Sequence, residues 1–269
     1  MAHPQVAAFA RAANGGARPT RAIAGQNTLF TRTIHDMAYD PVRDEIIVPQ
    51  FFAFAILTFR GDANGNVPPL RKIFGPSTQL KNSQALAVDW IHGEIFVPQG
   101  ERVLVFPREA NGDVAPIRIL GSEQSPVNAG RLTVDPVHDL LIGASNDGIR
   151  IYRRTASGND KPLRTIRGPA AEGAALMTVN PASGMIFAAV RMGGGGGDGD
   201  VSGRFAPEDF IGIWSVFDDG EVPPRWTVGG PKMFYKDIRG IAVDPKNKNV
   251  IASDKTLNAV LTFHIPEAF

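Results

Sequence analysis

The chain has 269 residues, no cysteine, and 28 Lys+Arg against 27 Asp+Glu, for a formal net charge of +1. Apolar residues at 43% and charged residues at 20% exclude wholesale disorder, and the balanced charge argues against a broad basic face for nucleic acid. The longest wholly apolar run, Phe51 to Leu57, is seven residues and too short to span a membrane, and thiol catalysis, disulfides and thiolate metal sites are excluded outright. Met1-Ala2-His3-Pro4-Gln5 has neither the basic start nor the long apolar stretch of a signal peptide, so a cytoplasmic location is expected by default, although a processed secreted form would look the same.

In chain order, one pattern recurs five times: a short β-type run ending in an aromatic, a polar-Gly turn, a proline, and a second β-type run ending in Gly. It reads VAAFARAANGGARPTRAIAG from Val6, ILTFRGDANGNVPPLRKIFG from Ile56, VLVFPREANGDVAPIRILG from Val103 and IRIYRRTASGNDKPLRTIRG from Ile149. A looser copy, IGIWSVFDDGEVPPRWTVGG, starts at Ile211. The turns are Asn14-Gly15, Asn64-Gly65, Asn111-Gly112, Ser157-Gly158 and Asp219-Gly220, pairs that tolerate the positive φ of a tight strand reversal.

A second hairpin lies between these, also in five copies. Its first strand is Met37 to Asp40, Leu86 to Asp89, Leu132 to Asp135, Met177 to Asn180 and Ile241 to Asp244; its second is Ile46 to Gln50, Ile95 to Gln99, Leu141 to Ser145, Ile186 to Val190 and Val250 to Asp254. Short β-branched runs bounded by turn signals read as strands. Each unit of about 47 residues is then four antiparallel strands, a to d, which is the blade of a β-propeller. The expectation is an all-β, single-domain propeller over residues 1–269, with five blades, or six as the alternative. Strand c has a sixth copy at Val260 to Phe263. Ring closure is expected by pairing N- and C-terminal strands, with Thr20 to Gly25 supplying strand d of the last blade and residues 5–10 left as an added outer strand or a competitor for position c.

These strands resemble NHL-repeat propellers and the related gluconolactonase-type (senescence-marker) propellers, the match being carried by Gly240-Ile241-Ala242-Val243-Asp244, Val250 to Asp254 and Val260 to Phe263. The resemblance implies a ligand or reaction centre where strand a begins and strand b ends. In gluconolactonase-type enzymes a divalent metal sits on Asn, Asp and Glu side chains, several of them two residues before strand a. Here those positions are His35, Gln84, Gly130, Ala175 and Arg239, which do not match a hard-cation site, so no metal is assigned and the cofactor stays unknown.

Function is expected where the repeat is broken. The b–c connection of blade four, Arg191 to Asp209, takes 19 residues where blades two and three use two, and it is either a lid over the channel mouth or a tolerated insertion. Its glycine run lacks the Lys-Ser/Thr and helix of a phosphate loop. Phe51, Phe52 and Phe54 in the b–c turn of blade one suggest a pocket wall or a partner contact, or simple packing. His92 and His138 occupy matching a–b turns and read as structural.

His35 and Arg239 precede strand a in blades one and five. Together they could serve as general acid/base and anion stabiliser, or hold a small anion, or merely satisfy each other. Gln50, Gln84, Gln99, Arg131 and Asp254, with Phe51 and Phe52, are the candidate ligand-binding residues around them. Arg21, Arg71, Arg118 and Arg164 recur on strand d and are read as protecting outer strand edges. No Gly-x-Ser-x-Gly or His-Glu-x-x-His motif occurs. The function expected is binding, of a small polar or anionic molecule or of a protein partner, with no nucleic acid and no membrane span. The alternative is a hydrolase or lyase using His35.

Overall fold

The computed structural model describes residues 4–192, 209–230 and 235–269. The repeated hairpins fold as expected, into an all-β, five-bladed β-propeller of antiparallel sheets with almost no helix. Blade one runs Ala38–Asp40, Glu45–Gln50, Ala55–Arg60 and Arg71–Phe74 as strands a to d; blade two runs Ala87–Asp89, Glu94–Gln99, Arg102–Pro107 and Arg118–Leu120. Blade three is Arg131–Asp135, Leu140–Ser145, Gly148–Arg153 and Arg164–Arg167, and blade four is Ala174–Asn180, Met185–Val190, Phe210–Ser215 and Trp226–Gly229. Blade five has three strands, Ile238–Asp244, Asn249–Asp254 and Ala259–His264.

The closure expected from the sequence differs from the pairing found. Arg21–Ala24 is a strand, but its hydrogen bonds go to Gln5–Ala8 in the register Gln5↔Ala24 to Ala8↔Arg21, not to the last sheet. Residues 5–8 thus take the c position beside their own d strand. Pairing two segments joined by residues 9–20 closes a far smaller loop than joining the two ends of the chain, and it costs less entropy.

The chain divides into two compact units, Met1–Ile95 with Phe106–Ile117, and Phe96–Val105 with Arg118–Phe269. In the first, Val6, Ile23, Ile46, Val48, Leu57 and Phe59 form a core beneath Phe30 and Ile34. In the second, Ile142, Ile151, Ile166, Ile186, Val190 and Trp214 form one cluster, and Phe187, Ile211, Ile213, Ile238 and Val250 another. Each large side chain fully removed from water contributes about 1.5–3 kcal/mol. In blades one and three strand b is the most buried strand, all six residues of Glu45–Gln50 and of Leu140–Ser145 being buried. Gly212 is fixed by packing: a Cβ there would lie 2.5 Å from the Trp214 ring.

Two devices recur at the end of the sheets carrying the a–b and c–d turns. Each a–b turn is capped by the last residue of strand a. Asp40, Asp89 and Asp135 are fully buried and accept the N–H groups two and three residues on, while the second oxygen meets Arg43, His92 or His138 at 3.2, 2.7 and 2.7 Å. Asp244 does the same with Asn247. His92 and His138 are therefore turn ligands, as their matching positions suggested.

The polar-Gly turns do more than reverse the chain. Gly65, Gly112, Gly158 and Gly220 each pair in parallel with the d strand preceding them, at Ile23, Ile73, Leu120 and Ile166. Asn64, Asn111 and Asp219 add a side-chain oxygen to the N–H of Ala22, Lys72 and Thr165 at 3.1, 3.0 and 2.9 Å. The strand-d arginines tie the same neighbours together: Arg21 donates to the Gly61 carbonyl, Arg118 to the Arg154 carbonyl and Arg164 to the Val216 carbonyl. Arg71 shares the buried Glu45 carboxylate with Arg108, at 2.6 and 2.7 Å.

Candidate functional site

At the opposite end, where strand b finishes and strand a begins, the residue ending strand b ties down the segment that leads into strand a. In blade one this is Gln50, wholly buried, whose Oε1 accepts the Thr31 N–H at 2.7 Å and its hydroxyl at 3.2 Å. In blade five it is Asp254, 3% exposed, whose carboxylate accepts the N–H groups of Lys236, Asp237 and Leu257. Burial alone would raise the Asp254 pKa, but these backbone donors outweigh it and hold the carboxyl below its ordinary value. Gln99 donates to the Pro98 carbonyl at 2.9 Å, and Gln84 is half-buried.

In the first unit the His35 ring packs on Phe51 at 5.3 Å between centroids. Phe51 meets Phe52 edge-on at 4.9 Å, and the Arg32 guanidinium lies 4.4 Å over the Phe52 ring. Phe52 and Phe54 are 43% and 46% exposed, so the aromatic turn is only partly absorbed by packing.

In the second unit the charged groups converge on one carboxylate. Asp237, four residues before Ile241, is 4% exposed. Its Oδ1 lies 3.1 Å from Arg239 Nε and 3.5 Å from an Arg191 guanidinium nitrogen, and neither N–H is aligned on that oxygen as a hydrogen bond. The Arg191 side chain is 8% exposed and that of Arg239 24%, so two guanidinium groups and one carboxylate share a poorly hydrated site. Arg131, which begins strand a of blade three, is likewise buried at 6%.

The stem of the blade-four connection is pinned beside this cluster. The Met192 N–H donates to Asp209 Oδ1 at 2.9 Å, and the Tyr235 hydroxyl donates to the Asp209 carbonyl at 2.7 Å. Burial pushes the Tyr235 hydroxyl well above its ordinary range, so it stays a neutral donor. Residues 193–208, read from the sequence as either a lid or a tolerated insertion, lie outside the described residues.

By unit, the candidate residues are His35, Gln50, Phe51, Phe52 and Gln84 in the first and Gln99, Arg131, Arg239 and Asp254 in the second. Asp237 and Arg191 go unremarked in the sequence, because 46 positions separate them and Asp237 lies outside the repeat. The available signals were its place two residues before Arg239 and Arg191's place at the start of the long insertion. Among the described residues no three His, Asp or Glu side chains gather as a metal site, and no helix is long and apolar enough to cross a membrane.

No protein-family model matches the chain, and no curated protein does. Among solved structures it is similar to the β-propeller domain of Cps50 (Swd1) from Myceliophteria thermophila, at 12% identity and a TM-score of 0.56 over 88% of this chain and 67% of that one. It is similar also to hydrazine synthase of Kuenenia stuttgartiensis, at 10% identity and a TM-score of 0.56 over 83% of this chain and 56% of that one. Identities this low define a class by fold alone, that of the β-propellers, whose sheets host many unrelated functions.

Proposed function

We propose that this propeller is a binding module whose ligand is a small anion held by Arg191 and Arg239 around Asp237. The observation that carries the reading is the pair of guanidinium groups set against a single carboxylate oxygen in a buried site. Attraction between charges is stronger in a poorly hydrated site than on an open surface, so an incoming anion gains more here. Planar guanidinium groups suit carboxylate or phosphate, which they grip bidentately. The likeness to NHL-repeat and gluconolactonase-type propellers supports a ligand at this end of the strands.

The test is titration calorimetry of the purified chain with inorganic phosphate and with acetate, repeated on Arg239→Gln and Asp237→Asn. Arg239→Gln keeps the Arg191–Asp237 pair and is expected to weaken anion binding about tenfold, the worth of one charge-assisted hydrogen bond. Asp237→Asn removes the competing carboxylate and should tighten binding. Phosphate and acetate affinities that are the same in wild type and Arg239→Gln would overturn the reading.

A protein-binding reading rests on a different observation, the exposed Phe52 and Phe54 beside the Arg32 guanidinium. The hydrolase or lyase alternative is separated from both by His35→Ala, which should abolish turnover and leave anion binding intact.

A further inference from the structure

We infer that Asn14 is a site of spontaneous deamidation, whereas Asn64 and Asn111, in the same Asn-Gly sequence, are shielded from it. All three begin the turn of a c–d hairpin, and in all three the following glycine has a positive φ, 60°, 78° and 80°. Glycine places no side chain in the way of its own amide nitrogen, which is why this dipeptide is the vulnerable one. The reaction needs that nitrogen to reach the Asn Cγ, and so it needs both the glycine N–H and the side-chain amide to be released from other partners.

At Asn64 and Asn111 they are held. Asn64 Oδ1 accepts the Ala22 N–H at 3.1 Å, the Gly65 N–H donates to the Ala22 carbonyl at 2.7 Å, and the Gly65 carbonyl accepts the Ala24 N–H at 3.1 Å. Asn111 repeats the set with Lys72 and Phe74, at 3.0, 2.8 and 3.1 Å. At the first copy, among the described residues, the one bond to the glycine amide is to the attacked side chain itself: the Gly15 N–H donates to Asn14 Oδ1 at 2.7 Å. The two reacting groups are thus already in contact, and Asn14, Gly15 and Gly16 are all exposed.

In the reaction the Gly15 nitrogen gives its proton to water and bonds to Asn14 Cγ. The Cγ–Nδ2 bond breaks and ammonia leaves, which closes a succinimide. Water then opens the ring, at Cγ to give aspartate or at the main-chain carbonyl to give isoaspartate. No oxidant or reductant takes part. Asp219-Gly220 in blade four shows that an aspartate fits this kind of turn, since Asp219 Oδ1 makes the bond to Thr165 that the asparagines make elsewhere. Isoaspartate, by contrast, lengthens the main chain by one carbon at the turn.

The test is incubation of the full chain at mildly alkaline pH, with and without urea, followed by peptide mapping that resolves asparagine, aspartate and isoaspartate. In the native protein Asn14 is expected to convert at least about tenfold faster than Asn64 or Asn111, because the hydrogen bonds on both the side-chain amide and the glycine N–H must open together at the shielded sites. In urea the three rates should converge. Equal native rates at the three sites, a faster Asn64 or Asn111, or a rate difference that survives in urea would overturn the inference.

Discussion

Phe54 stands at a backbone position that a phenylalanine does not favour. It closes the four-residue b–c turn of blade one with φ 50°, in the left-handed region, and its ring is 46% exposed. The matching turn of blade five, Lys255 to Asn258, reaches φ 49° with asparagine, which tolerates that conformation through its short polar side chain. An L-residue with a Cβ loses about 1–2 kcal/mol there relative to glycine. Three substitutions separate this strain from the contribution of the ring. Phe54→Ala, Phe54→Asn and Phe54→Gly all remove the ring; alanine keeps the full strain, asparagine tolerates the conformation better and glycine carries none. Asparagine and glycine should therefore exceed alanine by about 1 kcal/mol, the reverse of the ordinary preference for alanine over glycine. For a chain of this size that is a difference of about 2–4 °C in Tm, read by calorimetry or circular dichroism. An alanine variant as stable as the glycine variant would show that the turn relaxes at no cost and refute the reasoning. Asn258→Ala is the converse control and should lose about the same amount.

Glu45 should make stability acid-sensitive. Burial alone would raise its pKa, but hydrogen bonds from Arg71 and Arg108 outweigh burial and hold the carboxyl below its ordinary value of 4.5. Its contribution is therefore complete above about pH 4.5 and is lost as pH falls through the lowered folded value. Urea titrations should show Glu45→Gln about 3 kcal/mol less stable at pH 7, with the gap closing toward pH 3; a gap independent of pH would be inconsistent with this. His92→Asn should be within about 0.5 kcal/mol of wild type, since Asn247 makes the same bond to Asp244 at 2.7 Å, whereas His92→Ala should cost about 1 kcal/mol by stripping a partner from the buried Asp89. Asn111→Ala should lose about 1 kcal/mol and Asn111→Asp almost nothing, because Asp219 already plays this part; equal losses in thermal unfolding would deny the side chain its role.

The blades were legible in the sequence because each is local: hairpin turns, β-branched runs and the spacing of Asp-Pro and Asn-Gly pairs all act within a few residues. The turn-capping role of His92 and His138 was legible for the same reason, with the partner carboxylate three residues away. What stayed hidden depends on residues brought together from different repeats. Asn111 looks like an ordinary hairpin turn until Lys72, 39 positions earlier, supplies the N–H that it binds. Arg71 looks like an edge residue until Glu45 and Arg108 meet it. The pairing of Arg21–Ala24 with Gln5–Ala8 was one of two alternatives left open, because two copies of strand c compete for one place and periodicity alone does not decide which copy pairs where.

The same contrast bears on where function lies. At the turn end the groups form closed sets: each Asp cap has its N–H donors, and the polar-Gly turns from the second copy onward have their d strand. Repetition there reflects a structural requirement, since every blade must be fastened to its neighbour. At the other end Gln50 and Asp254 share one task, but Asp237 with Arg191 and Arg239 has no counterpart in blade one, where the same place leads to Thr33 and His35. The Arg191 side chain is buried and that of Arg239 partly so, and bringing such charges out of water costs more than an apolar contact of the same size. On the anion-binding reading such a cluster is held for what it binds, and this is why Arg239→Gln, more than any change to the repeats, tests whether the propeller is an anion-binding module.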